Sequence, residues 1–307
     1  MKNEIKALIR EIPRWVYWYP FRYYIQYLPR KTSYLCAKNI GLLSYFLQSK
    51  ARYDIGKGLK LFLNSKTDRE ICKIVKNTFE EKAFSAIDTF YYPKLTKDNI
   101  DCIVQYNGLE HIDDARKLGK GVILMHGHFC NEEFLMPAMG HKGYPMNQIG
   151  SRWEPPPAKG WIPNLIRKKA FQLRIGYREK FPVVFHYIDK SLRSAYRCLE
   201  NNEVLLVAAD GREGTKWHHV QFLGRTYSFS PGVFQIARRT GSTVLPTFLI
   251  REGNYYTFKI FVEKPFQVVD DDTINIRNFI QILESYIKNY PWFYAKVFWL
   301  KDSIKKE

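Results

Sequence analysis

Between residues 119 and 136 the chain reads Gly119-Lys120-Gly121-Val122-Ile123-Leu124-Met125-His126-Gly127-His128-Phe129-Cys130-Asn131-Glu132-Glu133-Phe134-Leu135-Met136. The apolar run from Val122 to Met125 is uninterrupted, which is typical of a strand that is buried on both faces. A polar stretch with two histidines follows at once. Because open α/β sheets bind ligands beyond the carboxyl ends of their strands, this stretch is where a functional site is expected.

Helical patterning dominates up to about residue 120, and apolar strands alternate with helices after it. Asp68 is predicted to cap a helix that runs to residue 87, and Ser230 and Pro231 to provide the N-cap and first residue of a later one. The other predicted elements are strands at 204–209, 243–249 and 255–262, and helices at about 190–200, 231–240 and 273–289. This alternation predicts an α/β domain with a mostly parallel central sheet flanked by helices.

The composition of the 307 residues, 46% of them hydrophobic, is sufficient for one sizeable core. The formal net charge of +18 predicts anionic partners: nucleic acid, anionic lipid, a phosphorylated substrate or an acidic carrier protein. A non-catalytic nucleic-acid module is disfavoured, because the sequence contains none of the common nucleic-acid-binding motifs. The five cysteines have no C-x-x-C spacing, which predicts a reducing compartment without a disulfide framework.

The N-terminal segment is unusually aromatic: tryptophans and tyrosines crowd into residues 15–24, with Arg22 among them and Arg14 and Arg30 on either side. A membrane-spanning helix needs ~20 mainly apolar residues, and these arginines interrupt every such window. Trp and Tyr mixed with Arg are typical of a helix that lies in the headgroup zone of a membrane. We therefore expect residues 1–50 to be a membrane-interface helical segment and 51–307 to be the main domain. The alternative is an aromatic helix that docks on the body of the protein.

The polar stretch after Met125 has the composition of an acid–base site. His128 is expected in the loop, Asn131 as the cap of the next helix, and Glu133 in that helix's first turn, from which its carboxylate can return to the imidazole. A carboxylate on one ring nitrogen fixes the tautomer and makes the other nitrogen more basic. The sequence therefore predicts a dyad in which His128 is a general base for a substrate hydroxyl and Glu133 orients it.

Other interpretations of the same residues remain. A metal-dependent hydrolase would use His126 and His128 with Glu132 or Glu133, but further ligands at a recognised spacing are missing from the sequence. Cys130 as a nucleophile lacks an activating arrangement of its own, so it is predicted to be a packing residue. The stretch could also be an ordinary polar loop. We expect neither a metal nor a cofactor.

The residues His128-Phe129-Cys130-Asn131-Glu132-Glu133 resemble the H-x-x-x-x-[DE] motif of the glycerolipid acyltransferase superfamily. Their His-Phe-x-Asn-x-Glu form is similar to a bacterial branch, the lauroyl and myristoyl acyltransferases of late lipid A assembly. Four further blocks resemble this family in the same order: Asn202-Glu203-Val204 through Ala209-Asp210-Gly211, Val220-Gln221-Phe222-Leu223-Gly224, Ser230-Pro231-Gly232, and Tyr290-Pro291-Trp292-Phe293-Tyr294. The resemblance runs from about residue 35 to 300.

Two departures from the family pattern concern the acceptor. The family's Tyr-Arg-Pro-like stretch is replaced by residues 151–157, which contain Arg152 and three prolines. Inside the first block, Cys130 and Glu132 replace the commoner Gly and Trp. Neither departure touches His128 or Glu133, but both leave the identity of the acceptor lipid open.

The resemblance implies direct attack by an acceptor hydroxyl on an acyl thioester carried by acyl-carrier protein or CoA. The acceptor is expected to be an anionic lipid, such as a lipid A precursor, a lysophospholipid or an aminoacyl lipid, at the cytoplasmic face of the inner membrane. Arg152 and Arg174, or Arg167 in place of the latter, are expected to bind acceptor phosphate or the oxyanion. Asn131 and Asp210 are expected to complete this substrate site, although Asp210 could equally form a structural turn.

Overall fold

The structure, a computed structural model, describes residues 2–150, 157, 160–188, 191–211, 213–294 and 305–306. Arg152 lies outside the described residues. The first third of the chain is helical, as the sequence predicts. Its elements are α1 (Lys2–Val16), a π-helical segment (Tyr17–Phe21), α2 (Arg22–Tyr27), α3 (Arg30–Leu47), α4 (Ser49–Phe62) and α5 (Asp68–Tyr91).

The start of α5 differs by one residue from the prediction. Thr67 is the N-cap, because its side chain accepts a hydrogen bond from the backbone N–H of Glu70 while the Glu70 carboxylate accepts one from the backbone N–H of Thr67. This reciprocal pair satisfies two backbone N–H groups that a helix start leaves without partners. Asp68 is therefore the first helical residue rather than the cap.

Strands and helices alternate after residue 103. The elements are β1 (Val104–Asn107), α6 (Leu109–Lys117), β2 (Val122–His126), a 3₁₀ turn (Glu132–Phe134), α7 (Leu135–His141), β3 (Met146–Gly150), α8 (Trp161–Arg178), β4 (Val183–Tyr187), α9 (Arg193–Glu200), β5 (Val204–Ala208), β6 (His218–Phe222), β7 (Arg225–Phe229), α10 (Gly232–Thr240), β8 (Thr243–Arg251), β9 (Phe258–Val262), α11 (Asp272–Asn289), α12 (Pro291–Tyr294) and β10 (Lys305–Lys306).

Seven of these strands form the main sheet, in the order β1-β9-β8-β2-β5-β3-β4. Every neighbouring pair is parallel except β8 with β9. The prediction of a mostly parallel α/β sheet flanked by helices is confirmed. β2 lies in the interior of the sheet and is buried at all five positions, as its apolar sequence requires. A second, antiparallel sheet contains β10, β7 and β6.

Two predicted boundaries are corrected by turns. Pro231 is the N-cap of α10 and Gly232 its first residue, and the Ser230 hydroxyl accepts the Gly232 N–H at 3.4 Å. β9 begins at Phe258 rather than at 255, because the Asn254 carbonyl oxygen Oδ1 accepts the backbone N–H of Thr257 at 3.1 Å and closes a turn there. A side chain that bonds nearby backbone groups competes with the strand ladder.

The N-terminal segment docks one face on the body of the protein. Trp18, Ile25, Tyr34 and Ala37 are buried against the apolar face of α5 and against Ala170 of α8. Other large apolar side chains of α1–α4 are exposed: Ile9, Ile12, Trp15, Val16, Tyr23, Tyr24, Tyr27, Leu35, Ile40, Leu43, Phe46, Leu47, Tyr53 and Leu61. Among the residues that the structure describes, no helix is both long enough and apolar enough to cross a bilayer. The division at residue 50 and the membrane contact stay predictions.

Candidate active site

The site lies where β2 and β5 end side by side. These parallel strands pair in register up to His126 and Ala208, and the Ala209 N–H donates to the His126 carbonyl at 2.8 Å. His128 and Asp210 each lie two residues beyond the last register pair. The two strands therefore deliver these side chains to the same point at the carboxyl edge of the sheet, where parallel sheets place their ligands.

The Asp210 carboxylate accepts hydrogen bonds from both the ring and the backbone N–H of His128. The ring Nδ1 of His128 is 2.7 Å from Asp210 Oδ1, and the His128 backbone N–H donates to both carboxylate oxygens, at 3.0 and 2.9 Å. A carboxylate only accepts hydrogen bonds, so Nδ1 carries the hydrogen and the neutral ring has its basic lone pair on Nε2. The His128 side chain is 32% exposed, whereas that of Asp210 is fully buried. The imidazole is thus oriented from inside the protein and accessible from outside.

The Asp210 carboxyl is held in its charged form. Burial raises its pKa, but the adjacent His128 charge and the hydrogen bonds from the His128 ring and backbone lower it by more, so the pKa lies below the ordinary value of 3.8. A permanent negative charge at this position stabilises an imidazolium when His128 accepts a proton.

Tyr294 is the third member of this arrangement. Its hydroxyl donates to Asp210 Oδ2 at 3.1 Å, and its fully buried ring lies nearly perpendicular to that of Phe222, with the ring centres 5.8 Å apart. The preceding carbonyl, that of Phe293, accepts the backbone N–H of Cys130 at 3.2 Å. The short helix α12 therefore supports both Asp210 and the His128 loop. The sequence signalled this segment through its aromatic residues, but their role was not predicted.

Glu133 has other partners than the predicted one. Its carboxylate oxygens lie 3.2 Å from Arg178 Nε and 3.5 Å from Arg174 Nη2, both on α8, while Asp210 occupies the His128 Nδ1 position. The physical reason is that residues 132–134 form a 3₁₀ turn rather than the first turn of an α-helix. The structure thus replaces Glu133 by Asp210 as the carboxylate that orients the ring. It brings Arg174 to Glu133, five positions along the chain from His128.

Asn131 is also placed differently from the prediction. It occupies the N-cap position of the 3₁₀ turn but makes no capping bond with its side chain. Its amide nitrogen donates to Asp88 Oδ2 at 2.7 Å, and its oxygen accepts the Tyr92 hydroxyl at 3.3 Å. Because the side chain is buried and both ends have partners, Asn131 holds the loop from behind rather than donating to an oxyanion.

A buried ion network lies behind the loop. Arg251 of β8 donates to Glu81 at 2.8 and 3.1 Å and to Asp88 at 2.5 Å, and all three side chains are at most 3% exposed. Tyr34 donates to Asp88, and the Cys130 thiol lies 3.7 Å from Glu81 Oε1. This network ties the loop residues between His128 and Glu133 to α3, α5 and β8.

Replacing Arg251 by methionine is expected to lower the free energy of unfolding by ~3–5 kcal/mol, because two buried carboxylates lose their counter-charge. Urea unfolding of the purified variant measures this loss. Arg238→Met is the matched control, since it removes a partly exposed pair with Asp272 and is expected to cost less than about 1 kcal/mol. Equal losses in the two variants would contradict the assigned importance of the buried network.

Cys130 occupies an unusual backbone conformation. Its φ is +56°, in the left-handed region that favours glycine, and the residue is fully buried. Glycine adopts this conformation without a steric penalty, so Cys130 stands where glycine would fit the backbone with less strain. The prediction that Cys130 packs inside the protein agrees with its burial.

Two further predicted residues have partners other than the His128 ring. His126 is buried; its Nδ1 donates to the Gly127 carbonyl at 3.0 Å, and burial lowers its pKa below 6.5. Arg167 pairs with Glu11 of α1 rather than reaching the site. Within the described part of the chain, no three His, Cys, Asp or Glu side chains are grouped as a metal site.

Comparison with known proteins gives one finding. The model of a family described as bacterial lipid A biosynthesis acyltransferase matches residues 2–306, nearly the whole chain. None of the curated proteins matches the chain.

Proposed function

Because this chain belongs to the bacterial lipid A biosynthesis acyltransferase family, we propose that it moves a fatty acyl chain from an acyl thioester to a hydroxyl of an anionic lipid, with His128 as general base. The observation that carries this proposal is the His128–Asp210 pair at the carboxyl edge of the sheet. The thioester is that of acyl-carrier protein or CoA. The proposed acceptor is a lipid A precursor or a related anionic glycolipid.

The chemistry needs one base and one oriented ring. His128 Nε2 takes the proton of the acceptor hydroxyl while the oxygen attacks the thioester carbonyl carbon. The tetrahedral intermediate then collapses, the C–S bond breaks, and the imidazolium returns its proton to the leaving thiolate. Asp210 keeps the proton on Nδ1 and stabilises the imidazolium between these two steps. No covalent acyl-enzyme is required.

Glu133 acts in this proposal through the arginines of α8. Arg174 and Arg178 are 47% and 29% exposed, so their guanidinium groups can bind a phosphate while Glu133 holds them beside the His128 loop. Arginine presents a planar set of donors that fits phosphate oxygens. Arg152, outside the described residues, stays a candidate for the same role. The net charge of +18 supports an anionic acceptor and an acidic donor protein.

Purified protein mixed with acyl-carrier protein or CoA thioesters and candidate acceptor lipids tests the proposal directly. Mass spectrometry of the lipid product is expected to show the mass of one added acyl chain with a lipid A precursor. Lysophospholipid and aminoacyl lipid serve as comparison acceptors. If every acceptor stays unmodified while the thioester is intact, the proposed transfer reaction is wrong.

We also propose that α1–α4 attach the protein to the cytoplasmic face of the inner membrane. Trp15, Tyr23 and Phe46 are 46%, 52% and 63% exposed, and they belong to the exposed apolar set of these helices. Trp and Tyr beside arginines suit the headgroup zone, and each cation near an anionic bilayer contributes about 1 kcal/mol. The acceptor lipid would then reach the site without leaving the membrane surface.

The double substitution Ile12→Glu/Trp15→Glu is expected to lower binding to anionic phospholipid vesicles by at least about tenfold, because two exposed apolar side chains of α1 are lost. Vesicle co-sedimentation measures the bound fraction. Leu118→Glu is the control, since Leu118 is 67% exposed but follows α6 and so lies outside α1–α4. Unchanged binding of the double variant would contradict attachment through this face.

A further inference from the structure

A phenol hydroxyl points at the carboxylate that orients the proposed base. Asp210 is buried and accepts hydrogen bonds from only three groups in the described residues: the His128 ring, the His128 backbone N–H and the Tyr294 hydroxyl. The His128 ring is bound to Oδ1 and Tyr294 to Oδ2. Among the described residues, Tyr294 is therefore the one donor to Asp210 that does not belong to His128. Each donor to a carboxylate spreads its negative charge and weakens its attraction for the other partners.

Burial keeps Tyr294 in its donor form. The desolvated ring and the nearby Asp210 charge raise the pKa of Tyr294 well above 10, so the hydroxyl retains its proton throughout the working range. The ring cannot turn away without losing its packing with Phe222, and Pro291 begins the short helix that holds it. This donor is therefore permanent.

We propose that Tyr294 is a positioning residue for the acyl transfer, which sets through Asp210 how strongly His128 holds its proton. The inference rests on the proposed function of His128 and extends it to a residue of the C-terminal helix. With the phenol present, part of the Asp210 charge is shared with Tyr294, and the imidazolium is stabilised less. The neutral ring that accepts the hydroxyl proton is then available at lower pH.

Other titratable groups among the described residues also face this arrangement. They are His126 from β2, Glu132 from the 3₁₀ turn and Tyr227 from β7. Burial lowers the pKa of His126 and raises that of Tyr227, so both are neutral near pH 7. Tyr294 differs from all three because it alone among them donates directly to Asp210.

The test is Tyr294→Phe, which removes only the hydroxyl. Activity requires neutral His128, so the rate falls as pH drops through the pKa of His128. Loss of the phenol raises that pKa, and the acid limb of kcat/KM is expected to move to higher pH by about 0.5 unit. This corresponds to an about threefold lower rate at a fixed pH on the limb. A purely structural role would lower the rate equally at every pH.

NMR titration of the His128 ring protons gives the same pKa without an activity assay, and so separates this inference from the proposed reaction. Tyr294→3,5-difluorotyrosine, a stronger donor of nearly the same shape, is expected to shift the His128 pKa in the opposite direction, to lower pH. Tyr106→Phe is the control, since its hydroxyl donates to the Ala138 carbonyl away from the site. Titration of His128 at the wild-type pH in both Tyr294 variants would overturn the inference.

Discussion

The variant His128→Ala is expected to transfer acyl chains about 10²–10⁴-fold more slowly than the wild-type protein, because the hydroxyl loses its general base. The loss should appear in kcat rather than in KM, because the ring takes part in proton transfer and does not bind the rest of either substrate. The fold should be retained: the side chain is 32% exposed, and the backbone N–H that bonds Asp210 stays in place. A single-turnover assay with radiolabelled acyl thioester measures the rate.

His141→Ala is the matched control for this prediction. It removes a half-buried imidazole from the end of α7, where Lys97 is the nearby charged group. Its transfer rate should equal that of the wild type. If His128→Ala also kept the full rate while unfolding at the same urea concentration, the general-base proposal would be wrong.

Asp210→Asn is expected to have the second largest effect, a loss of about 10²-fold or more in kcat. The amide has nearly the same shape but no charge, so it stabilises an imidazolium poorly and its NH₂ group can bond the wrong tautomer of the ring. Without the carboxylate the pKa of His128 falls, and the acid limb of the pH profile moves to lower pH. Steady-state kinetics across pH, together with NMR titration of His128, measure both effects.

Glu133→Gln separates the two carboxylates. In the structure Glu133 pairs with Arg174 and Arg178. In a double-mutant cycle, the losses of transfer rate caused by Glu133→Gln and by Arg174→Gln should therefore be strongly non-additive. It should shift the His128 pKa less than Asp210→Asn does. A larger shift in Glu133→Gln than in Asp210→Asn would restore Glu133 as the orienting carboxylate.

The sequence predicted the sheet because its signal is local. The apolar run at 122–125 and the one at 204–209 each contain enough information to identify a buried strand, and the structure pairs them in register. His128 was predicted for the same reason, since it directly follows the first of these runs. The site's location therefore followed from residues that lie close together in the chain.

The partners of His128 were not local. Glu133 is five positions away and was the natural choice, whereas Asp210 and Tyr294 approach only through strand pairing and the final helix. The course of the loop also escaped prediction, because the Phe129 N–H bonds to the Gly127 carbonyl at 2.7 Å and Cys130 is left-handed. These two features change the direction of the side chains that follow. Neither has a clear sequence signature when the residue concerned is not glycine.

Asn131 and Arg251 illustrate the same limit in the interior. Asn131 has the sequence position of a helix cap. Its side-chain amide instead donates to the carboxylate of Asp88, on a distant helix, inside the protein. Hydrogen bonds to charged groups contribute more to stability than neutral ones, so the bond to the buried carboxylate is favoured over a local capping bond. Arg251 ends a strand of apolar residues, and its two partners on α5 are separated from it by more than half of the chain.

The support that α12 gives to Asp210 and to the His128 loop has a consequence during protein synthesis. The histidine leaves the ribosome long before the tyrosine at 294 that bonds its carboxylate partner has been translated. A nascent chain that exposes the motif but still lacks this tyrosine also lacks the hydroxyl that donates to Asp210. The site is therefore completed only after residue 294 has been translated and α12 has packed against the His128 loop.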